Sequence, residues 1–135
     1  MTHALWHRVA LVVDDEAFAR LYAVQMLLDQ GWFVLEAADA EEGLDMLLTH
    51  EDVALLLTDI SMPGAHDGLD LVERARSERA NLAIVVTSGH GRPLDGRLPP
   101  DVTFLAKPYT AHALQEAIGC HSEEEVEQAI VALRA

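Results

Sequence analysis

Five short apolar runs recur along this chain at helix-length intervals: Val9–Val13, Trp32–Glu36, Val53–Leu57, Leu82–Val86 and Val102–Ala106. Each is too short for a stable helix, and none shows the strict in–out alternation of a strand with one wet face. Runs of this kind, rich in Val, Leu and Ile, are strands covered on both faces, as in a parallel sheet packed between helices. Strand and helix alternate five times with short connections, which specifies an α/β doubly wound domain around a five-stranded parallel sheet. A length of 135 residues corresponds to one domain.

The first helix is predicted over Glu16–Gln30, where Phe18, Leu21, Tyr22, Gln25 and Leu28 recur at helical spacing with one polar interruption and Gly31 supplies the stop. Asp39 opens the second helix, with Glu42 three residues on as in a capping box, and Leu44, Leu47 and Leu48 form its buried face. The third runs from Leu69 to Arg79, with Leu71, Val72 and Ala75 inward. A helix is due next, but Gly91, Pro93, Gly96, Pro99 and Pro100 resist it. Proline removes a backbone donor, and glycine costs about 1 kcal/mol relative to alanine. This fourth helix is therefore weakened to a short turn around Leu94–Arg97. The next begins at Thr110, a candidate N-cap, and ends near Ile118.

An extra C-terminal amphipathic helix is predicted beyond it. Ser122 and Glu125 repeat the capping-box pattern, three consecutive glutamates suit a helix N-terminus, and Val126, Ala129, Ile130 and Leu133 form an i, i+3, i+4, i+7 stripe. Residues 122–135 read as an extension of a domain spanning 1–121. The stripe is expected to pack on its own domain, over the weakened fourth-helix segment. The competing reading is a dimerisation or docking helix, which leaves the chain a monomer or a weak homodimer. Trp6 reads as a packing anchor before the first strand.

In doubly wound sheets, ligands bind outside the carboxyl ends of the strands. Those ends carry Asp14 and Asp15, then Asp59, then Thr87, then Lys107. Three neighbouring carboxylates repel one another unless a cation sits among them. Oxygen ligands without cysteine or histidine call for a hard cation, and Mg²⁺ fits, using carboxylates together with phosphate oxygens. A carboxylate can attack a phosphoryl group, and such a transfer is stabilised mainly by a metal and a fixed cation. Lys107, the only lysine, can supply that cation; the eight arginines lie away from the strand ends. Thr87 offers a hydroxyl donor. Any one of these residues alone is more often a cap or a turn. Their joint occurrence at four strand ends points to one pocket with Asp59 as its nucleophile.

The net charge of −14 argues against direct partnership with nucleic acid or an anionic membrane, since both need basic patches. The single cysteine allows no intrachain disulfide, which favours a reducing cytoplasm. The N-terminus lacks signal-peptide character, and no apolar stretch approaches the roughly 18 residues that span a bilayer. Seven histidines are scattered without ligand spacing and read as surface residues, with His66 and His90 flanking the expected pocket. Cys120-His121 makes no metal site.

Four blocks together resemble the receiver domain of bacterial two-component response regulators: Val12-Val13-Asp14-Asp15-Glu16, Thr58-Asp59-Ile60-Ser61-Met62-Pro63 with Asp67-Gly68, Val86-Thr87-Ser88-Gly89, and Lys107-Pro108-Tyr109. The resemblance runs from Val9 to Ile118 and implies a flavodoxin-like strand order of 2-1-3-4-5. It implies that Asp59 accepts a phosphoryl group from a phosphohistidine on a sensor histidine kinase or a histidine phosphotransfer protein. Asp15, Asp59 and the Ser61 backbone carbonyl would hold Mg²⁺ directly, and Asp14 through water. Lys107 would pair with the phosphoryl group, and Thr87 would swing towards it as the switch.

This chain departs from the family pattern at four points. The loop from Met62 to Gly68 is one residue longer than the commonest form. The switch aromatic falls on Phe104, which has no hydroxyl. Ser61 and Gly89 are poorly suited to hold an attacking water, which implies slow self-hydrolysis. The segment of the fourth helix, normally part of the output surface, is rich in glycine and proline. With no DNA-binding pattern visible, the expectation is a single-domain regulator that switches binding to an unidentified downstream protein or passes phosphate along a phosphorelay. It would be no enzyme beyond its own phosphotransfer and slow dephosphorylation. Two alternatives stay open: an aspartyl-phosphate phosphohydrolase, which would want a second carboxylate where Ser61 stands, and a receiver-like scaffold that is never phosphorylated.

Overall fold

A computed structural model describes residues 8–62, 67–91 and 98–119. Its elements are β1 (Val9–Val13), α1 (Ala17–Asp29), β2 (Phe33–Ala37), α2 (Ala40–Thr49), β3 (Val53–Asp59), α3 (Gly68–Glu78), β4 (Ala83–Ser88), β5 (Thr103–Ala106) and α4 (Ala111–Gly119). The five strands form one parallel sheet in the order β2-β1-β3-β4-β5. The expected doubly wound fold is observed. The turn expected at Leu94–Arg97, the extra helix from Ser122, Trp6 and His66 lie outside the described residues.

Every residue of β1, β3 and β4 is buried, as their unbroken apolar runs require. One core layer packs Leu11, Val13, Leu56 and Ile84 against α2 and α3, through Leu47, Leu71, Val72 and Ala75. The other packs Ala10, Val12, Leu55, Leu57 and Val85 against α1 and α4, through Ala23, Leu27, Leu114 and Ile118. Strands β3 and β4 run further than their apolar stretches. Pairing continues through Thr58↔Val86 and Asp59↔Thr87, so Asp59 and Thr87 are strand residues.

Helix α1 turns opposite to the side suggested by its larger apolar residues. Ala23, Val24, Met26 and Leu27 face the sheet, whereas Phe18, Leu21, Tyr22 and Leu28 are exposed, Phe18 by 81%. The helix is apolar on both faces, and the face with Ala23 admits the closer approach to the strands. Elsewhere the caps follow the sequence. Asp39 accepts from the Glu42 amide at 2.8 Å while Glu42 accepts from the Ala38 amide at 3.1 Å. Thr110 accepts from the Ala113 amide at 3.0 Å.

Arg79 closes the lower end of this frame. Its guanidinium donates to the carbonyls of Leu47, His50 (2.7 Å) and Val53 (3.0 Å), joining the end of α2 to the start of β3. Burial lowers its pKa, although Glu51 and Asp52 oppose the shift. Because Arg79→Ala would leave these carbonyls without their donor, we expect a loss of about 3 kcal/mol, read as a lower urea midpoint at unchanged m-value.

Candidate functional site

The carboxyl edge of the sheet gathers β1, β3, β4 and β5 around Asp59. Beyond Asp59 the chain turns at once: the Ile60 amide donates to the Thr87 carbonyl at 3.0 Å, and the Ser61 amide donates to Asp59 Oδ1 at 2.9 Å. One carboxylate oxygen is thereby fixed by its own turn, leaving Oδ2 directed at Lys107. Asp59 is only 7% exposed.

Asp14 is held in the same fashion. Its Oδ1 accepts from the Glu16 amide at 2.9 Å, and Glu16 in turn caps α1 by accepting from the Phe18 and Ala19 amides. Lys107 joins the two strands. Its Nζ donates to Asp14 Oδ2 at 2.8 Å and to Asp59 Oδ2 at 3.1 Å, while its backbone amide donates to the Ser88 carbonyl at 2.9 Å. Burial alone would lower the Lys107 pKa, but hydrogen bonds and charge from Asp14 and Asp59 outweigh it and raise the pKa above 10.5.

Asp15 differs from both. It is exposed, and among the described residues nothing hydrogen-bonds its carboxylate. Carboxylate oxygens of Asp14, Asp15 and Asp59 all lie within 4.8 Å of one another. Lys107 bridges two of these carboxylates but brings only one positive charge against three negative ones, an arrangement that suits a hard divalent cation. Thr87 is buried beside Asp59, its register partner. Ser61 is exposed at the turn. Phe104 sits further down β5, opposite Val86, and packs on the core layer of α2 and α3.

The sequence reading missed three supporting residues. Arg20 lies away from the strand ends in sequence, but its side chain reaches one: Nη1 donates to the Asp14 carbonyl at 2.8 Å and Nε pairs with Glu36 at 3.0 Å. Its position on the first turns of a helix that follows the acid pair was the available signal. Gly68 was read as a turn residue, yet its backbone is ordinary and the demand is for space. A Cβ there would lie 1.9 Å from the Asp59 carbonyl oxygen. Tyr22 donates its hydroxyl to the Tyr109 carbonyl at 3.0 Å, steadying the segment after Lys107-Pro108. Tyr109 itself is buried, and burial, with the Asp14 charge second, pushes its phenol up to about 12.

Residues 10–119 match the family model of the response regulator receiver domain. The chain belongs to this family. A chemotaxis protein CheY homolog from Campylobacter jejuni is 34% identical over 114 residues, covering 80% of this chain and 87% of that protein. Among solved structures, a response regulator receiver protein from Sinorhizobium medicae superposes with a TM-score of 0.77 at 28% identity, covering 93% of this chain and 95% of the other. A receiver protein from Pseudomonas putida gives 0.72 at 33% identity, covering 82% and 94%. As a receiver domain, the chain has a phosphorylation-dependent signalling function, and membership implies a kinase or phosphotransfer partner. No helix among the described residues is long and apolar enough to cross a membrane.

Proposed function

We infer that Asp59 is the phosphoacceptor of this receiver domain and takes its phosphoryl group from a phosphohistidine on a sensor kinase or phosphotransfer protein. The observation that carries this is the convergence of Asp14 Oδ2 and Asp59 Oδ2 on one lysine ammonium, with the exposed Asp15 carboxylate beside them. Asp59 Oδ2 attacks phosphorus as the P–N bond to the donor imidazole breaks. Lys107 moves its hydrogen bond from the carboxylate to a phosphoryl oxygen, and the Ser61 amide holds Oδ1 fixed throughout. Thr87, one strand away, donates its hydroxyl to a second phosphoryl oxygen. Asp15, Asp59 and the Ser61 carbonyl would hold Mg²⁺, with Asp14 assisting through water, and the ion would supply charge stabilisation to the phosphoryl oxygens.

The output is a change in protein binding or onward transfer in a relay, and the chain is not an enzyme in the ordinary sense. A phosphohydrolase reading is disfavoured because the position where an acid/base carboxylate would stand is Ser61, whose side chain is a hydroxyl. A scaffold that is never phosphorylated would gain little by burying Asp14 and Asp59 beside Lys107, since apolar residues of similar size commonly serve stability as well or better.

Asp15 gives the test of the metal. Relief of repulsion at an exposed site should make Asp15→Asn more stable than wild type without Mg²⁺, by about 0.5–1 kcal/mol. Wild type should gain about 2.7 kcal/mol at a Mg²⁺ concentration a hundredfold above its dissociation constant, and the variant much less at that concentration. Thermal melts with and without Mg²⁺, alongside labelling by acetyl phosphate, measure both. Equal Mg²⁺ responses in the two proteins would remove Asp15 from the metal site.

A further inference from the structure

Four of the large hydrophobic side chains exposed among the described residues lie on one helix, α1: Phe18, Leu21, Tyr22 and Leu28. Phe18, Leu21 and Leu28, with Gln25 between them, fall on one line along its outer face. A helix with its inner face already on the sheet and a second apolar stripe facing outward has room for another packing partner.

The chain carries such a partner. Sixteen residues follow Gly119, and within them Val126, Ala129, Ile130 and Leu133 repeat at helical spacing. We propose that this C-terminal segment docks its apolar stripe along Phe18, Leu21 and Leu28 of α1, within the same molecule. The attachment point favours this. Helices α1 and α4 cover the same face of the sheet, where Tyr22 meets Tyr109 at 5.8 Å between ring centroids and Gln30 donates to the Ala111 carbonyl at 3.3 Å. Both helices return from the carboxyl edge of a parallel sheet, so the chain leaves Gly119 heading away from the pocket and can reverse alongside α1.

Length fits as well. Ser122 to Leu133 as a helix spans about 18 Å, and the 13 residues of α1 span about 20 Å. The residues joining Gly119 to Ser122 reach about 10 Å when extended, enough to reverse direction. Tethering favours this occupant over a second copy, because a short linker supplies an effective concentration of the order of millimolar. This places the segment on α1 instead of the fourth-helix region that the sequence alone suggested, since the outward stripe of α1 becomes visible only once the helix is seated. A protein partner for this face must then displace the tail. The proposal goes beyond the phosphotransfer reading and does not depend on it.

Disulfide trapping in the full chain tests it. In a Cys120→Ser background, Leu21→Cys is combined with Ile130→Cys, and Leu28→Cys with Val126→Cys. At least one pair should close within a single chain about tenfold faster than Leu48→Cys with Ile130→Cys, whose helix lies on the opposite face of the sheet. Equal rates, or links that form only between two chains, would overturn the proposal, the latter in favour of a second copy. Wild-type protein gives a variant-free check by nuclear Overhauser contacts from the Val126, Ile130 and Leu133 methyls. Contacts to Phe18, Leu21 or Leu28 support docking; contacts only to the segment between β4 and β5, or none, refute it.

Discussion

Gly68→Ala will destabilise the chain by about 3 kcal/mol and slow acetyl phosphate labelling about a hundredfold. The added Cβ would sit 1.9 Å from the Asp59 carbonyl oxygen, 2.6 Å from the Ile60 Cα and 2.7 Å from the Asp59 carbonyl carbon. All three are backbone atoms of the turn that aims Asp59, so no side chain can rotate out of the way. Either α3 lifts from the sheet or the turn moves, and a displacement near 1 Å at the nucleophile is enough for that rate loss. Gly43→Ala is the matched control. There the nearest atoms are methyl groups of Val13 and Leu71, at 2.8 Å and beyond, which can adjust. Its cost should be smaller and should spare labelling. Wild-type stability and labelling in Gly68→Ala would contradict this packing.

Lys107→Ala is expected to lower the labelling rate by about 10²–10³-fold, the usual loss when one preorganised donor to a developing charge is removed. Asp59 should remain the labelled residue, only more slowly. Without Mg²⁺ the variant should also lose about 3 kcal/mol of stability, because Asp14 and Asp59 then stay buried without their counter-charge. Mg²⁺ should restore part of that loss. The pH dependence has a definite sign. The folded pKa of Lys107 is raised, so its contribution is fully present below the unfolded value of about 10.4 and is lost only as pH rises through the higher folded value. Labelling should therefore show no lysine-dependent decline between pH 6 and about 9.5. A decline there that disappears in Lys107→Ala would contradict the assigned ion pair.

Much of this architecture was legible from residue order. Apolar runs on consecutive positions identified the buried strands, and the residues that cut those runs off were the ones the sheet assembles at its carboxyl edge. Asp14, Asp59, Thr87 and Lys107 were found because strand ends in a parallel sheet converge by geometry. What escaped was set by packing. Which face of α1 turns inward could not be read from hydrophobicity, since Ala23 and Leu27 compete with Phe18 and Leu21 and the smaller side chains win the closer approach. Arg20 was invisible because its role lies in a side chain that reaches back from α1 to a carbonyl at the end of β1. Gly68 looked like a turn residue, and only the proximity of α3 to Asp59 shows that it is there to be small.

The central claim is that Asp59 carries the phosphoryl group. Incubation with Mg²⁺ and acetyl phosphate, followed by intact mass measurement, tests it most directly. The account predicts a single phosphoryl adduct of about 80 Da on the wild-type chain, dependent on Mg²⁺ and absent from Asp59→Asn. No adduct on wild type, or an undiminished one on Asp59→Asn, would contradict it.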